Sequence, residues 1–146
     1  MTTPSIDAGV RSRTVIERAF EAWREGTGGP YDLLADNVSW TITGHSKAAK
    51  TYPSKESFMS EVIRPFNARM RARLIPTTVH ELVVDGDRAV VRFDAAGTAT
   101  DGKPYVNTYA WFLTVRGDRI VNAVAFFDSI VFDDLWTRVV PMSASK

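Results

Sequence analysis

The chain has 146 residues, 45% of them apolar and 24% charged, with 18 Lys and Arg set against 17 Asp and Glu for a formal net charge of +1. That length and balance fit one globular domain, and the near-cancellation of charge excludes a protein that holds nucleic acid by bulk electrostatics. The absence of cysteine removes disulfides, thiolate catalysis and Cys-based zinc sites, and two histidines are too few for a multi-His metal centre, so neither metal nor other cofactor is expected.

Helical patterning comes first. Ile16, Ala19, Phe20 and Trp23 fall at i, i+3, i+4 and i+7, which predicts an amphipathic helix over residues 8–25. Gly26 and the pair Gly28-Gly29 stop it, and Pro30 suits the first position of a short helix through Leu33 and Leu34. Val38 to Thr43 has strand character, and Gly44 to Pro53 reads as a loop. Ser54 is placed to cap a third helix, carrying Phe58 and Val62 inward until Pro65 ends it. The N-terminus lacks an apolar core of signal-peptide length and no stretch approaches a membrane span, so a cytoplasmic protein without a membrane partner is expected.

The period changes in the second half. Four strand-like runs, 69–84, 88–100, 105–116 and 119–128, are separated by Asp85-Gly86-Asp87, Asp101-Gly102-Lys103 and Gly117-Asp118. This is the spacing of an antiparallel meander. Ser129 then caps a last helical turn carrying Leu135 and Trp136. Helices followed by a long antiparallel sheet make an α+β fold whose helices cover one sheet face. Residues 10–137 are expected to form the domain, between a flexible N-terminus (1–9) and a tail (138–146) that frays from Pro141.

Side chains alternate faces along a strand. Val90, Arg92, Asp94 and Ala96 therefore share one face, and Val91, Phe93 and Ala95 the other. On the last strand Val124, Phe126 and Asp128 oppose Ala123, Ala125 and Phe127. Arg92, Asp94 and Asp128 stand out in these apolar runs and are expected to face inward. Burial raises a carboxylate pKa and a nearby Arg lowers it, a contest suited to proton transfer. Plainer roles fit the same residues: Arg92 and Asp94 as a surface ion pair, Asp128 as the N-cap of the segment starting at Ile130.

Tyr109 and Trp111 are expected inside, with Trp40 and Phe126, as walls of an apolar pocket; plain core packing or a dimer interface would use them equally well. His45, just after the first strand, is either a proton-exchanging residue at the pocket rim or an exposed loop histidine. His80 reads as structural or surface. Arg64, Arg69, Arg71 and Arg73 suggest an anion site, although period-two spacing from 69 to 73 gives a solvated strand face just as simply.

The order of elements, the segment YDLLADNVSWTITG and the stretch VRFDAAGTATDGKPYVNTYAWFLTVRGDRIVNAVAFFDS together resemble the nuclear-transport-factor-two-like superfamily. Within it, they look like the SnoaL-like and ketosteroid-isomerase-like branch, across residues 10–137. The resemblance implies a conical, strongly curved antiparallel sheet wrapped by the N-terminal helices, cystatin-like in outline, with a pocket inside the cone. It also implies a homodimer through the outer sheet face. Acid–base chemistry without a cofactor on a small hydrophobic molecule would follow, as an isomerase, a polyketide-cyclase-like lyase or a hydrolase.

Limonene-epoxide-hydrolase-like members carry an Arg-x-Asp on one strand and an Asp ending the last, which Arg92-Phe93-Asp94 and Asp128 match. By that analogy Asp128 activates water, Asp94 protonates the leaving oxygen and Arg92 holds both carboxylates. The match is partial. Trp40-Thr41-Ile42 stands where those hydrolases hold water with Tyr and Asn. The steroid isomerases' base Asp and helix-one Tyr have no counterpart among Thr41-Ile42-Thr43-Gly44, Phe20 and Trp23. The competing expectation is a non-catalytic ligand-binding or dimerising module of the same fold.

Overall fold

The apolar stripe of the first segment does form a helix. A computed structural model describes residues 4–141, with side chains from Ala8 onward. In it α1 (Pro4–Glu25) buries Ile16, Phe20 and Trp23 against the sheet. Its start at Pro4 makes residues 4–9 helical, where a flexible N-terminus was expected. The outermost residues of both expected termini, 1–3 and 142–146, lie outside the described residues. Gly26 ends the helix in the left-handed region (φ +82°), so that the Thr27 N–H reaches the Ala22 carbonyl at 2.9 Å. Trp23 then donates from Nε1 to the Leu74 carbonyl (2.8 Å), which ties the helix end to the sheet.

A 3-10 turn (Pro30–Leu33) leads into β1 (Leu34–Ile42), and β2 (Lys50–Tyr52) pairs with β1 inside the segment expected to be loop. A continuous helical run follows: α2 (Lys55–Phe58), a π turn (Met59–Ile63) and α3 (Arg64–Asn67). Ser54 caps it, accepting the Ser57 N–H at 3.1 Å. Pro65 does not end it, contrary to expectation. A regular turn would press the proline ring against the Glu61 carbonyl, four residues back; the π turn, where the Arg64 N–H reaches the Met59 carbonyl, widens the helix just before the ring arrives.

The meander is β3 (Met70–Asp85), β4 (Arg88–Ala99), β5 (Pro104–Arg116) and β6 (Arg119–Phe127), closed by α4 (Ser129–Arg138). β1 joins β6 in parallel, so the sheet order is β2-β1-β6-β5-β4-β3 and the sheet is mixed rather than wholly antiparallel. Four register shifts bend β3. Near its start β3 runs so close to Gly97 that a Cβ there would stand 2.7 Å from the Ala72 carbonyl oxygen. No helix among the described residues is long and apolar enough to cross a membrane.

Alternation holds on β4, β5 and the second half of β6, though not on the bulged β3, and volume decides which set faces the helices. Val91, Phe93 and Ala95 are buried, as are Tyr109, Trp111 and Leu113, and opposite them Ala123 and Ala125. Trp111 faces Ala125 and Leu113 faces Ala123 across β5 and β6, so large side chains fill the space that small ones leave. The inward set on β4 is the one containing Phe93, and the inward set on β6 is the alanine-rich one. Arg92, Asp94 and Phe126 consequently point to the outer face, the reverse of the sequence expectation.

Candidate functional site

Between the inner sheet face and the helical run of residues 55–67 lies a cavity of about 50 Å³. Trp40, Phe58, Tyr109, Trp111, Phe127 and Phe132 supply most of its aromatic wall, and none of the described residues lining it is charged. Trp40 stacks on Phe58 (4.3 Å between ring centroids, 15°) and meets Trp111 edge-on (5.2 Å, 83°). That space holds only a few waters, well short of the roughly 300 Å³ at which ligand pockets usually begin. It is a tight site.

Tyr31, Trp40, Tyr109 and Trp111 are the lining residues that carry a polar side-chain group, and each of these groups can donate; Tyr105 and Asn107 stand behind Tyr109 on β5. The Trp40 indole N–H is buried and has no hydrogen-bond partner among the described residues. Tyr105, Asn107 and Tyr109 alternate along β5, all inward and buried. Asn107 Nδ2 donates to the Tyr105 hydroxyl at 2.8 Å, and that hydroxyl lies 2.9 Å from the hydroxyl of Tyr109. Tyr31, from the 3-10 turn, adds a third hydroxyl beside them. Burial pushes the hydroxyls of Tyr31, Tyr105 and Tyr109 above the ordinary tyrosine value of 10. At neutral pH they are therefore protonated and serve as donors rather than bases.

The expected catalytic trio is not brought together. Arg92 Nε donates to Glu81 at 2.7 Å on the outer face. Asp94 accepts from the Thr108 hydroxyl at 2.8 Å and lies 2.9 Å from His80 Nε2, also outside. Asp128 is the N-cap of α4, its carboxylate accepting the N–H groups of Ile130 (2.9 Å) and Val131 (3.3 Å). No hydrogen bond or ion pair joins any two of Arg92, Asp94 and Asp128 among the described residues.

Of the expected binding residues, Trp40, Tyr109 and Trp111 line the cavity. His45 is exposed in the loop after β1. Phe126 is 52% exposed on the outer face and lies over Gly44; its neighbour Phe127 takes the place expected of it in the cavity wall.

Comparison with known proteins follows the same lines. Residues 16–123 match the sequence model of the SnoaL-like domain. The chain belongs to the SnoaL-like family. No curated protein sequence matches it significantly. A nuclear-transport-factor-two-like protein of unknown function from Burkholderia pseudomallei superposes with a TM-score of 0.70 at 19% identity, covering 87% of this chain and 98% of that one. A protein of unknown function with a cystatin-like fold from Xanthomonas campestris gives 0.69 at 15%, covering 86% and 97%. A candidate isomerase from Rhodopseudomonas palustris gives 0.62 at 20%, covering 87% and 96%. Likeness at these identities establishes the fold of the SnoaL-like protein and leaves its activity to the site.

Sequence reasoning passed over Tyr31, Tyr105 and Asn107. For the last two a signal was present: residues 105, 107 and 109 share one face of an otherwise apolar strand, so the parity that placed Tyr109 inside places all three. Tyr31 had no such signal. Its position depends on how the 3-10 turn docks against the sheet.

Proposed function

We propose that this SnoaL-like protein binds a small molecule whose uncharged, mainly apolar part, bearing a hydrogen-bond acceptor such as a carbonyl oxygen, enters the inner cavity. The observation that carries this reading is the buried Trp40 N–H, without a partner among the described residues, on a side chain that lines this largely apolar cavity. An unpaired buried donor costs on the order of 1–3 kcal/mol, which an acceptor in the cavity restores. Tyr109 is the second donor. Asn107 donates to Tyr105, Tyr105 can then donate to Tyr109, and the Tyr109 hydrogen is left for the ligand, each bond polarising the next. Protonated tyrosines polarise a carbonyl but take no proton from it, so the reading is binding with electrophilic assistance. Acid–base catalysis by Asp128, Asp94 and Arg92 is not supported by this geometry, because two of the three open on the opposite face.

Acetophenone and its near-isostere ethylbenzene, which lacks only the acceptor, test this directly. Titration followed by the indole N–H resonance of Trp40 should show saturable binding with about a fivefold preference for the ketone. Followed by isothermal titration, which needs no indole reporter, Trp40→Phe and Tyr109→Phe should each erase most of that preference. Absence of saturable binding by either compound overturns the reading.

For the outer sheet face we propose a second copy of the chain as partner. Phe112 (47% exposed) and Phe126 (52%) are near neighbours there on β5 and β6, with Val106 (58%) further along β5, exposed apolar side chains of the kind that mark contact sites. Sedimentation equilibrium should give a dimer mass, and Phe126→Glu a monomer; a monomeric wild-type protein at high concentration contradicts the proposal.

A further inference from the structure

The arginines of the segment 64–73 separate into different roles in the fold. Arg64 pairs with Glu56 at 3.0 Å. Arg69 is buried, its guanidinium donating to the carbonyls of Val139, Pro65 and Trp136. Arg71 and Arg73 remain exposed near the start of β3, without a carboxylate partner among the described residues.

Both line a recess of about 220 Å³, and four side chains of its wall, Tyr31, Ile63, Phe66 and Leu74, also line the inner cavity. The recess and the cavity thus share a wall, three of whose four side chains are apolar. Together the two spaces approach the lower end of ordinary ligand-pocket volumes, roughly 300 Å³, which the cavity alone does not.

Arg73 is held in place. Its Nη1 donates to the Trp23 carbonyl at 2.9 Å, at the end of α1. The bare Gly26 leaves it room: a Cβ there would stand 2.7 Å from Arg73 Nη2. The guanidinium keeps further N–H donors beyond the one used on Trp23. Arg71 makes no hydrogen bond or ion pair among the described residues. Asp32 lines a neighbouring opening beside Arg73, but its carboxylate accepts the Gly29 N–H at 3.1 Å.

Two guanidiniums opening on one recess, beside an uncharged and largely apolar cavity, define an amphipathic ligand. We propose that the recess is an antechamber to the cavity and binds the carboxylate of an apolar acid, through Arg71 and Arg73, while the uncharged body of the same molecule passes between the shared side chains into the cavity. A carboxylate matches the planar fork of a guanidinium. This inference rests on the cavity reading above, and adds to it the charge of the ligand and the residues that select it.

The test compares 3-phenylpropanoate with its neutral analogue 3-phenylpropanamide by isothermal titration of the intact protein. At about 20 mM salt the acid should bind about tenfold more tightly than the amide, and the advantage should shrink at about 300 mM salt, where charges are screened within several ångströms. Arg71→Gln and Arg73→Gln should each weaken the acid by at least about threefold and leave the amide unchanged, whereas Arg73→Lys should retain part of the preference. Arg71→Gln breaks no hydrogen bond or ion pair among the described residues, so its result stands even if Arg73→Gln loosens the end of α1. Equal affinity for acid and amide, insensitive to salt, overturns the inference and leaves the cavity reading intact. Failure of both compounds to bind also overturns it, and acetophenone then decides whether the cavity reading falls with it.

Discussion

The Asn107 side chain grips the backbone of Asp128 at both of its polar groups: Nδ2 donates to the Asp128 carbonyl at 3.1 Å and Oδ1 accepts the Asp128 N–H at 3.1 Å. The same amide accepts the Thr108 N–H at 2.7 Å and donates to Tyr105 at 2.8 Å, and it is only 3% exposed. One side chain thereby fixes the corner between β6 and α4 and sets the head of the tyrosine chain. It leaves the Asp128 carboxylate free to cap α4.

Asn107→Leu, close in size but without polar atoms, strands several of these partners at once. With on the order of 1–3 kcal/mol for each buried group left unpaired, partly relieved by water at the corner, a loss of about 2–4 kcal/mol is expected. Urea denaturation should show a lower midpoint with an unchanged slope. A loss below about 1 kcal/mol would mean that water replaces the amide and that the corner does not depend on it.

Phe93 and Phe126 differ in the face they occupy, and truncation separates them. Phe93 is fully buried, stacked on Tyr109 (5.2 Å, 11°) and edge-on to Trp111 (4.9 Å, 81°). Phe93→Ala should cost about 3–5 kcal/mol, as large-to-small changes of core aromatics do. Phe126→Ala should change the stability of a single chain by less than about 1 kcal/mol and act chiefly on self-association. Comparable losses for the two would refute the assignment of inner and outer faces.

That assignment marks the limit of what the amino-acid pattern disclosed. The four strand runs, their turns and the first helix could be read from period and punctuation, because local chemistry sets them. Parity along β4, β5 and β6 was equally legible, whereas the bulges of β3 break it. Which parity set faces the helices was not, since it depends on the volumes of residues brought opposite one another by tertiary pairing: Trp111 on Ala125, Leu113 on Ala123. On β6 the small residues Ala123 and Ala125 face inward, where parity alone left Phe126 and Asp128 equally eligible. Charged residues on the outer face, Arg92 and Asp94, were then taken for a site. β2 was hidden for a related reason, three residues being too few to carry a period.

A bulge in β3 creates the outer cluster, and acid should reveal its contribution. The register shift between Val79 and Glu81 lets His80 reach Asp94 while Glu81 reaches Arg92. The Thr108 hydroxyl, and then His80, hold the Asp94 carboxyl below its ordinary value of 3.8. A carboxylate whose pKa is depressed by folding stabilises the protein above its unfolded pKa and loses that effect as pH falls through the folded one. The stabilisation is therefore complete at neutral pH, begins to fade near pH 3.8 and disappears below the lowered value. Asp94→Asn should flatten this part of the acid limb in a plot of urea midpoint against pH. A superimposable acid limb would show that the Thr108 and His80 contacts do not persist in solution.

Gly97→Ala probes the close approach that bends β3 and places Arg71 and Arg73. A Cβ at residue 97 would stand 2.6 Å from Met70 Cε, 2.7 Å from the Ala72 carbonyl oxygen and 3.1 Å from that of Arg73. The methionine end can swing aside, but the two carbonyls are backbone and move only with the strand. Overpacking of this kind typically costs about 1–3 kcal/mol. Because β3 between residues 70 and 75 is already irregular in register, part of the strain should be relieved by a shift of that segment. Chemical denaturation gives the stability change, and the backbone amide resonances of residues 70–75 report the shift. If Gly97→Ala is as stable as the wild type and those resonances stay in place, the close approach is absent in solution, and with it the geometry that aims the two arginines at the antechamber.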